Sequence, residues 1–280
     1  MRTVYAREIT SVVKNLYLDL SFNPSPDITA ALQSGLANDT SPTGQSILSQ
    51  ILENNEISAA ENLCMCQDTG MAVLFVELGQ DVHIAGNFED AVNQGVREAY
   101  AEGYLRKSIV NDPIYDRKNT NDNTPAIIHL RLAEGDHILI NAAAKGFGSE
   151  NMSQLKMMVP ADSEAGVLSF ILKTVEEAGP NPCPPIVVGV GIGGDMEYAA
   201  ELAKRATLRP IDQRHADCRY KLLEEEALRQ INALGIGPGG LGGDTTALGV
   251  NIEFAPTHIA SMPVAVNICC HAARHRSVLL

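Results

Sequence analysis

The sequence predicts an α+β fold of mixed helices and predominantly antiparallel sheets in a compact, two-lobed arrangement. Three observations carry this. Stretches with apolar residues at helical spacing open the chain and recur after residue 160; short apolar runs bounded by Gly, Pro, Asn and Asp lie between them; and the two kinds of segment do not alternate as a regular strand–helix–strand repeat. One domain over residues 1–280 is expected, with two closely packed lobes as its finer division.

Residues 4–20 place Val4, Ile9, Val12, Val13, Leu16 and Leu20 at helical spacing, and Asn23-Pro24-Ser25-Pro26 stops that helix. Asp27 is positioned to cap a second short helix through Leu36. A third covers 43–60, with Ile47, Leu48, Ile51, Leu52 and Ile57 turned inward. The run 71–78 reads as a buried strand directly after Cys64-Met65-Cys66-Gln67-Asp68-Thr69-Gly70. A helix over 88–109 carries Arg97, Arg106 and Lys107 on one element, and 111–125 is polar and loop-like. Residues 126–132 and 137–143 resemble the arms of a hairpin around Ala133-Glu134-Gly135-Asp136. A helix over 162–177 then ends near Gly179, and Asn181-Pro182-Cys183-Pro184-Pro185 opens a strand over 186–190. Helices at 195–206 and 217–234 follow, and the glycine-rich 235–243 leads to strands at 248–254 and 263–269. No internal repeat is evident.

A net charge of −13 makes polyanions poor partners, so nucleic acid is not expected, while a locally basic pocket can still draw in a small dianion. The longest apolar runs, such as 185–190 and 263–268, are too short to cross a bilayer, and no membrane partner is expected. Six cysteines are too few for a disulphide scaffold of this length, and no cleavable apolar leader opens the chain; a reducing cytoplasm is the expected location.

Cys66, Cys183 and Cys270 each sit beside a polar or glycine-rich segment suited to lining a cavity. Cys218 lies inside a predicted helix and reads as an ordinary thiol. Cys64 adjoins the Cys66 motif, and Cys269 faces oppositely to Cys270 in a strand, so at most one of each pair is expected to reach a common site. The spacing is neither a zinc-finger pattern nor C-x-x-C. Inert buried cysteines, a metal or cluster site and a redox thiol all stay open; zinc held by three cysteines with His271 or His258 is not separable by spacing from an iron-sulphur cubane.

Gly189-Val190-Gly191-Ile192-Gly193-Gly194 satisfies G-x-G-x-x-G between a predicted strand and helix, as a dinucleotide fingerprint would. No strand ending in a ribose-binding acid follows, so turns or close backbone approach explain the glycines better. Lys145-Gly146-Phe147-Gly148-Ser149-Glu150-Asn151 and Gly239-Gly240-Leu241-Gly242-Gly243-Asp244-Thr245-Thr246 offer unhindered N–H groups. Each alone reads as a bend, and together they favour an anion site.

Cys-Gln-Asp-Thr-Gly at 66–70, Lys-Gly-Phe-Gly-Ser-Glu-Asn at 145–151, Asn-Pro-Cys-Pro-Pro at 181–185 and Cys-His-Ala-Ala-Arg at 270–274 together resemble the iron-sulphur hydro-lyases of the class I fumarase and tartrate dehydratase type. Leu105-Arg106-Lys107-Ser108, the 189–194 glycines and Pro256-Thr257-His258-Ile259-Ala260 extend the resemblance over nearly the whole chain. Phe147 stands where relatives commonly carry the second glycine of Lys-Gly-Gly-Gly, which narrows that loop.

The resemblance implies a [4Fe-4S] cluster held by Cys66, Cys183 and Cys270 with one open iron, and reversible hydration of fumarate to (S)-malate. A tartrate dehydratase α subunit producing oxaloacetate is the alternative within the class, and a degenerate partner-binding scaffold the alternative outside it. Gln67, Asp68, Arg106, Gly148 and His258 fall on positions that resemble the family's substrate pocket. Arg106 would clamp one carboxylate, Gln67 and the N–H of Gly148, or of Gly146 in its place, would fix the other, Asp68 would orient substrate or relay a proton, and His258 would hydrogen-bond substrate or gate access. The end at Leu280, soon after the third cysteine motif, implies an α subunit with a separate fumarase-like β subunit supplying the base, in a heteromer such as α2β2.

Overall fold

The computed structural model describes residues 1–280, which divide into two compact units: Met1–Ser25 with Asn55–Phe147 and Arg274–Leu280, and Pro26–Asn54 with Gly148–Ala273. In the first unit, β1 (Arg2–Tyr5) leads into α1 (Ala6–Phe22), followed later by β2 (Met71–Gly79), β3 (Val82–Ala85), α4 (Phe88–Glu102), β4 (Ile127–Ala133), β5 (Ile138–Lys145) and, at the chain's end, β10 (His275–Leu279). The second unit holds α2 (Pro26–Asn38), β6 (Gln154–Met158), α6 (Ser163–Ala178), β7 (Ile186–Gly194), α7 (Met196–Ala206), α8 (Cys218–Ala233), β8 (Ala247–Thr257) and β9 (Met262–Cys269). Two helices, α3 (Pro42–Glu61) and the single turn α5 (Phe147–Glu150), contribute residues to both units. The α+β class holds, with mixed sheets.

The first unit's sheet has the order β10-β5-β2-β4, with β4 parallel and β5 antiparallel to β2. The second has β6-β9-β7-β8, with β8 parallel and β9 antiparallel to β7. The connectivity is therefore the same twice. A central strand crosses through helix to a parallel neighbour, and the next strand returns to the central strand's other side. This repeat of topology carries no repeat of sequence, which is why the residues alone did not reveal it.

The expected hairpin of 126–132 with 137–143 does not form, because β2 lies between its arms. The turn's backbone bonds to the end of β2 instead: Gly79 N donates to His137 O at 2.8 Å, Gln80 N to Ala133 O at 2.9 Å and Asp81 N to Gly135 O at 3.0 Å. A Cβ on Gly79 would stand 2.4 Å from the Gly135 carbonyl oxygen, so glycine permits this crossing.

Helix α4 also ends earlier than its apolar spacing predicts. Gly103 caps it and Tyr104 turns to φ 52°, which leaves Arg106 and Lys107 in the following loop and off the helix that carries Arg97. At the start of the chain, Val4 belongs to the short strand β1, and Ile57 of α3 is 46% exposed where burial was expected. Asp27 lies inside the first turn of α2, and its Oδ2 accepts from Ile211 N at 3.0 Å.

The first core joins Leu74, Val76, Ile138 and Ile140 of the sheet to Ile9, Val13, Tyr17 and Leu20 of α1 and to Val92, Val96 and Tyr100 of α4. The second core packs Ile186, Val188 and Val190 of β7 against α6 and α8. On β7's other face the glycines are part of the strand, not a loop. A Cβ at Gly189 would approach Ala203 O to 2.2 Å and one at Gly191 would approach Ala199 O to 2.1 Å, so bare backbone lets α7 lie directly on the sheet. The dinucleotide resemblance is explained by that packing.

Candidate active site

Four chain segments meet at one end of the first unit's sheet, as the strand register requires. Met71 at the start of β2 pairs with Lys145 at the end of β5, Val73 pairs with Ile127 near the start of β4, and His275 at the start of β10 pairs with Ala143. Residues 66–70, 103–126, 146–147 and Arg274 therefore emerge together. Gly70 is essential to their approach: its φ is 79°, and a Cβ there would stand 2.8 Å from the Ala144 carbonyl carbon.

Hydrogen bonds fix these segments to one another. Asp68 accepts from Gly70 N through Oδ1 at 3.0 Å and from Phe147 N through Oδ2 at 2.8 Å. Thr69 Oγ1 donates to the Arg106 carbonyl at 3.0 Å, which anchors the backbone of that arginine while its side chain stays exposed. The buried Tyr100 hydroxyl lies 3.0 Å from Thr69 O and 2.8 Å from Gly70 O. Burial pushes its phenol above the ordinary range, while the field of Arg274 opposes that rise. Fully buried Asn123 accepts from Ser108 N at 2.7 Å and donates to Gly70 O at 3.2 Å, tying the 103–126 loop to the start of β2.

A cavity of about 430 Å³ lies here, lined by Asp68, Gly70, Ser108, Arg117 and Phe147 among others. Its volume falls within the roughly 300–1,000 Å³ of small-molecule sites. It offers a carboxylate, a guanidinium and a hydroxyl against apolar walls, a composition able to orient a small polar acid. Of the expected site residues, Asp68 and the backbone of Arg106 are brought together in this unit, with exposed Gln67 next to Asp68 in sequence.

The other expected residues belong to the second unit. Gly148 follows Phe147 in the single turn α5, with open space where a Cβ would be. His258 is exposed and accepts from Ala260 N through Nδ1 at 3.2 Å. Cys183 precedes β7 with φ 54°, and Cys270 follows Cys269 at the end of β9. Cys269 itself is buried and packs with Ile28, Leu32 and Val187.

The expected ligand set for a [4Fe-4S] cluster is corrected by these positions. Cys66 belongs to the first unit, Cys183 and Cys270 to the second, and no group of three or more His, Cys, Asp or Glu side chains in the structure is arranged to hold a metal ion. None of the six cysteines is joined in a disulphide. The absence of such a group contradicts the expected cubane of Cys66, Cys183 and Cys270, and equally a zinc site of three cysteines with His271 or His258. The same finding runs against the expected iron-sulphur dependence and metal binding.

Sequence reasoning assigned no role to Arg117, Asn123 or Arg274. Arg274 was visible as the one charge closing the Cys-His-Ala-Ala-Arg motif. Arg117 and Asn123 sit in a polar stretch where nothing local marks them. No helix is long and apolar enough to cross a membrane.

A family profile described as fumarate hydratase (Fumerase) matches residues 10–279. A Methanocaldococcus jannaschii protein named "Putative L(+)-tartrate dehydratase subunit alpha" is 40% identical over 272 residues, covering 95% of each chain. The L(+)-tartrate dehydratase subunit alpha of Escherichia coli O157:H7 is 32% identical over 275 residues, covering 98% of this chain and 91% of its own. That of Shigella sonnei is 31% identical over the same length and coverage.

Proposed function

This chain belongs to the fumarate hydratase (Fumerase) family, and on that premise we propose that it is the α subunit of a hydro-lyase acting on L(+)-tartrate together with a separate β subunit. The observation that carries the substrate is the name shared by its full-length relatives, L(+)-tartrate dehydratase subunit alpha. Fumarate, the first expectation from the motifs, becomes the second reading, favoured by the description of the family profile.

Dehydration of a 2,3-dihydroxy diacid takes a proton from the carbon beside one carboxylate and expels the hydroxyl from the neighbouring carbon. The resulting enol tautomerises to oxaloacetate. Negative charge grows on the carboxylate as the proton leaves, so cations at that end stabilise the transition state more than the ground state. Arg106 serves as the carboxylate clamp, since its backbone is tied to Thr69 and a guanidinium donates two parallel hydrogen bonds. Arg117 adds a second cation on the cavity wall. Asp68, held by two backbone donors, orients a substrate hydroxyl or relays a proton, and Gln67 beside it holds a carboxylate. From the resemblance, Gly148 contributes an N–H to substrate and His258 a hydrogen bond.

Co-purification with a β subunit and parallel assays of L(+)-tartrate, fumarate and malate test this reading. Tartrate is expected to give the highest kcat/KM; an equal or higher value for fumarate or malate would overturn the assignment. Arg106→Ala should lower kcat/KM by about 10- to 100-fold, the worth of a hydrogen bond to a charged group.

A further inference from the structure

Arg274 is 3% exposed, and its Nε and Nη1 are buried without a hydrogen-bond partner. A guanidinium stays protonated in proteins, and leaving its donors both buried and unmatched costs free energy. Such a cation is retained in a stable chain when the charge itself has work to do.

Its surroundings indicate what that work is. Gly146 leaves space for a missing side chain, and a Cβ built there would stand 3.2 Å from Asp68 Oδ2 and 3.5 Å from Arg274 Nη2. The arginine and the aspartate thus border the same small gap. Asp68 takes its hydrogen bonds from Gly70 N and Phe147 N and lines the cavity on its other side, whereas Arg274 does not line it. Phe147, the residue that departs from the family's usual glycine, covers the cavity while its N–H orients Asp68.

A dianion entering a cavity that already carries a carboxylate meets repulsion, which is strong where water is scarce. A buried cation behind that carboxylate offsets it. We propose that Arg274 is a positioning residue, a buried counter-charge that lets Asp68 stand in the cavity wall while the cavity still accepts a dicarboxylate. This rests on the dicarboxylate reading of the cavity. Arg274 acts through Asp68 without touching substrate, and it sets affinity for doubly charged ligands more than the chemical step.

Succinate, a non-reacting four-carbon diacid, and butyrate, its singly charged counterpart, serve as probes in calorimetric titrations of the full chain. Arg274→Gln should weaken succinate binding by about tenfold or more and butyrate binding much less; equal losses would indicate a packing role and overturn the proposal. Arg274→Lys keeps the charge and should bind succinate within about threefold of the unaltered chain, and a loss as large as that of Arg274→Gln would overturn it. Adding Asp68→Asn to Arg274→Gln should recover most of the lost affinity, and no recovery overturns the coupling.

The same pair is read without ligand. Arg274→Gln and Asp68→Asn should shift Tm non-additively, the double variant departing clearly from the sum of the two single changes; additive changes would sink the proposal. If the unaltered chain binds no succinate, the dicarboxylate reading fails while the Tm cycle still decides the Arg274–Asp68 coupling. Tartrate turnover of the complex tests the substrate assignment separately.

Discussion

The two four-stranded sheets are built on one connectivity and packed in two ways. In the first unit β2 carries Leu74 and Val76 toward α1 and α4, so helices rest on side chains. In the second, one face of β7 is stripped to Gly189 and Gly191, and α7 rests on backbone. Polar anchoring differs as well. The first unit ties its sheet end with neutral hydrogen bonds from Tyr100 and Asn123, and the second pairs a fully buried carboxylate, Glu224, with the half-buried Arg209. The comparison teaches that topology fixes where segments meet, while side-chain size on the central strand fixes how close the helix comes and how little change it tolerates.

The largest effect should come from the second unit's ion pair. Glu224 is fully buried and also accepts from His215 N at 3.1 Å and Ile252 N at 2.8 Å. Glu224→Ala leaves two backbone donors unmatched and takes one of two carboxylate partners from the half-buried Arg209, which keeps Glu253 at 3.3 Å, and denaturant unfolding should show a loss of about 3–5 kcal/mol. A loss under about 1 kcal/mol would erase the contrast in anchoring.

Gly191→Ala comes next, because the new methyl would overlap the α7 backbone. About 3 kcal/mol of destabilisation is expected by the same measurement. By contrast, Val76→Ala in the first unit's central strand removes volume and should cost about 2 kcal/mol through a cavity. If Gly191→Ala were neutral, the close approach of α7 would be wrong.

Tyr100→Phe removes the hydroxyl that holds Thr69 O and Gly70 O, for an expected loss of about 1–2 kcal/mol. Tartrate kcat/KM should fall with it, since those carbonyls directly follow Asp68 in the chain. Unchanged stability and kinetics would remove Tyr100 from the support of the site.

The smallest effect is a pH dependence in the 103–126 loop. Partial burial works against ionisation of Asp122, yet hydrogen bonds from Thr124 and Arg97 hold its carboxyl down at about 2, from an ordinary 3.8. The folded value lies below the unfolded one, so this contribution is complete above pH 3.8 and is lost as pH falls toward about 2. Asp122→Asn should flatten the acid limb of Tm against pH in that window, and an unaltered limb would refute the assignment.

Most helices were legible because their stops are local: Pro24 and Pro26 after α1, Gly179 after α6 and Gly235 after α8. The exception is α4, where the apolar Tyr104 and Leu105 prolonged the periodic pattern past Gly103, the true stop. Strand partners were not legible. The alternation of 126–132 marks a strand without saying that β2, some fifty residues earlier, is its neighbour. The short strands β1, β3, β6 and β10 were missed because each gains its order from a distant partner. At the candidate site, Asp68 and Arg106 were found through their motifs. Arg274 needed burial to become conspicuous, and the gathering of three cysteines, expected from resemblance alone, did not appear in the positions of the side chains.

The loop that walls the cavity is held largely by its own short bonds, such as Asp112 Oδ1 accepting from Ile114 N and Tyr115 N at 2.7 Å, with a few ties outward through Asn123, Asp122 and Arg106. Its amides can exchange with solvent through local opening, while those of β2, bonded on both sides by β4 and β5, wait for global unfolding. The cavity therefore has a fast wall and a slow floor. Opening the wall breaks a handful of loop hydrogen bonds and leaves the ladder of the sheet beneath intact.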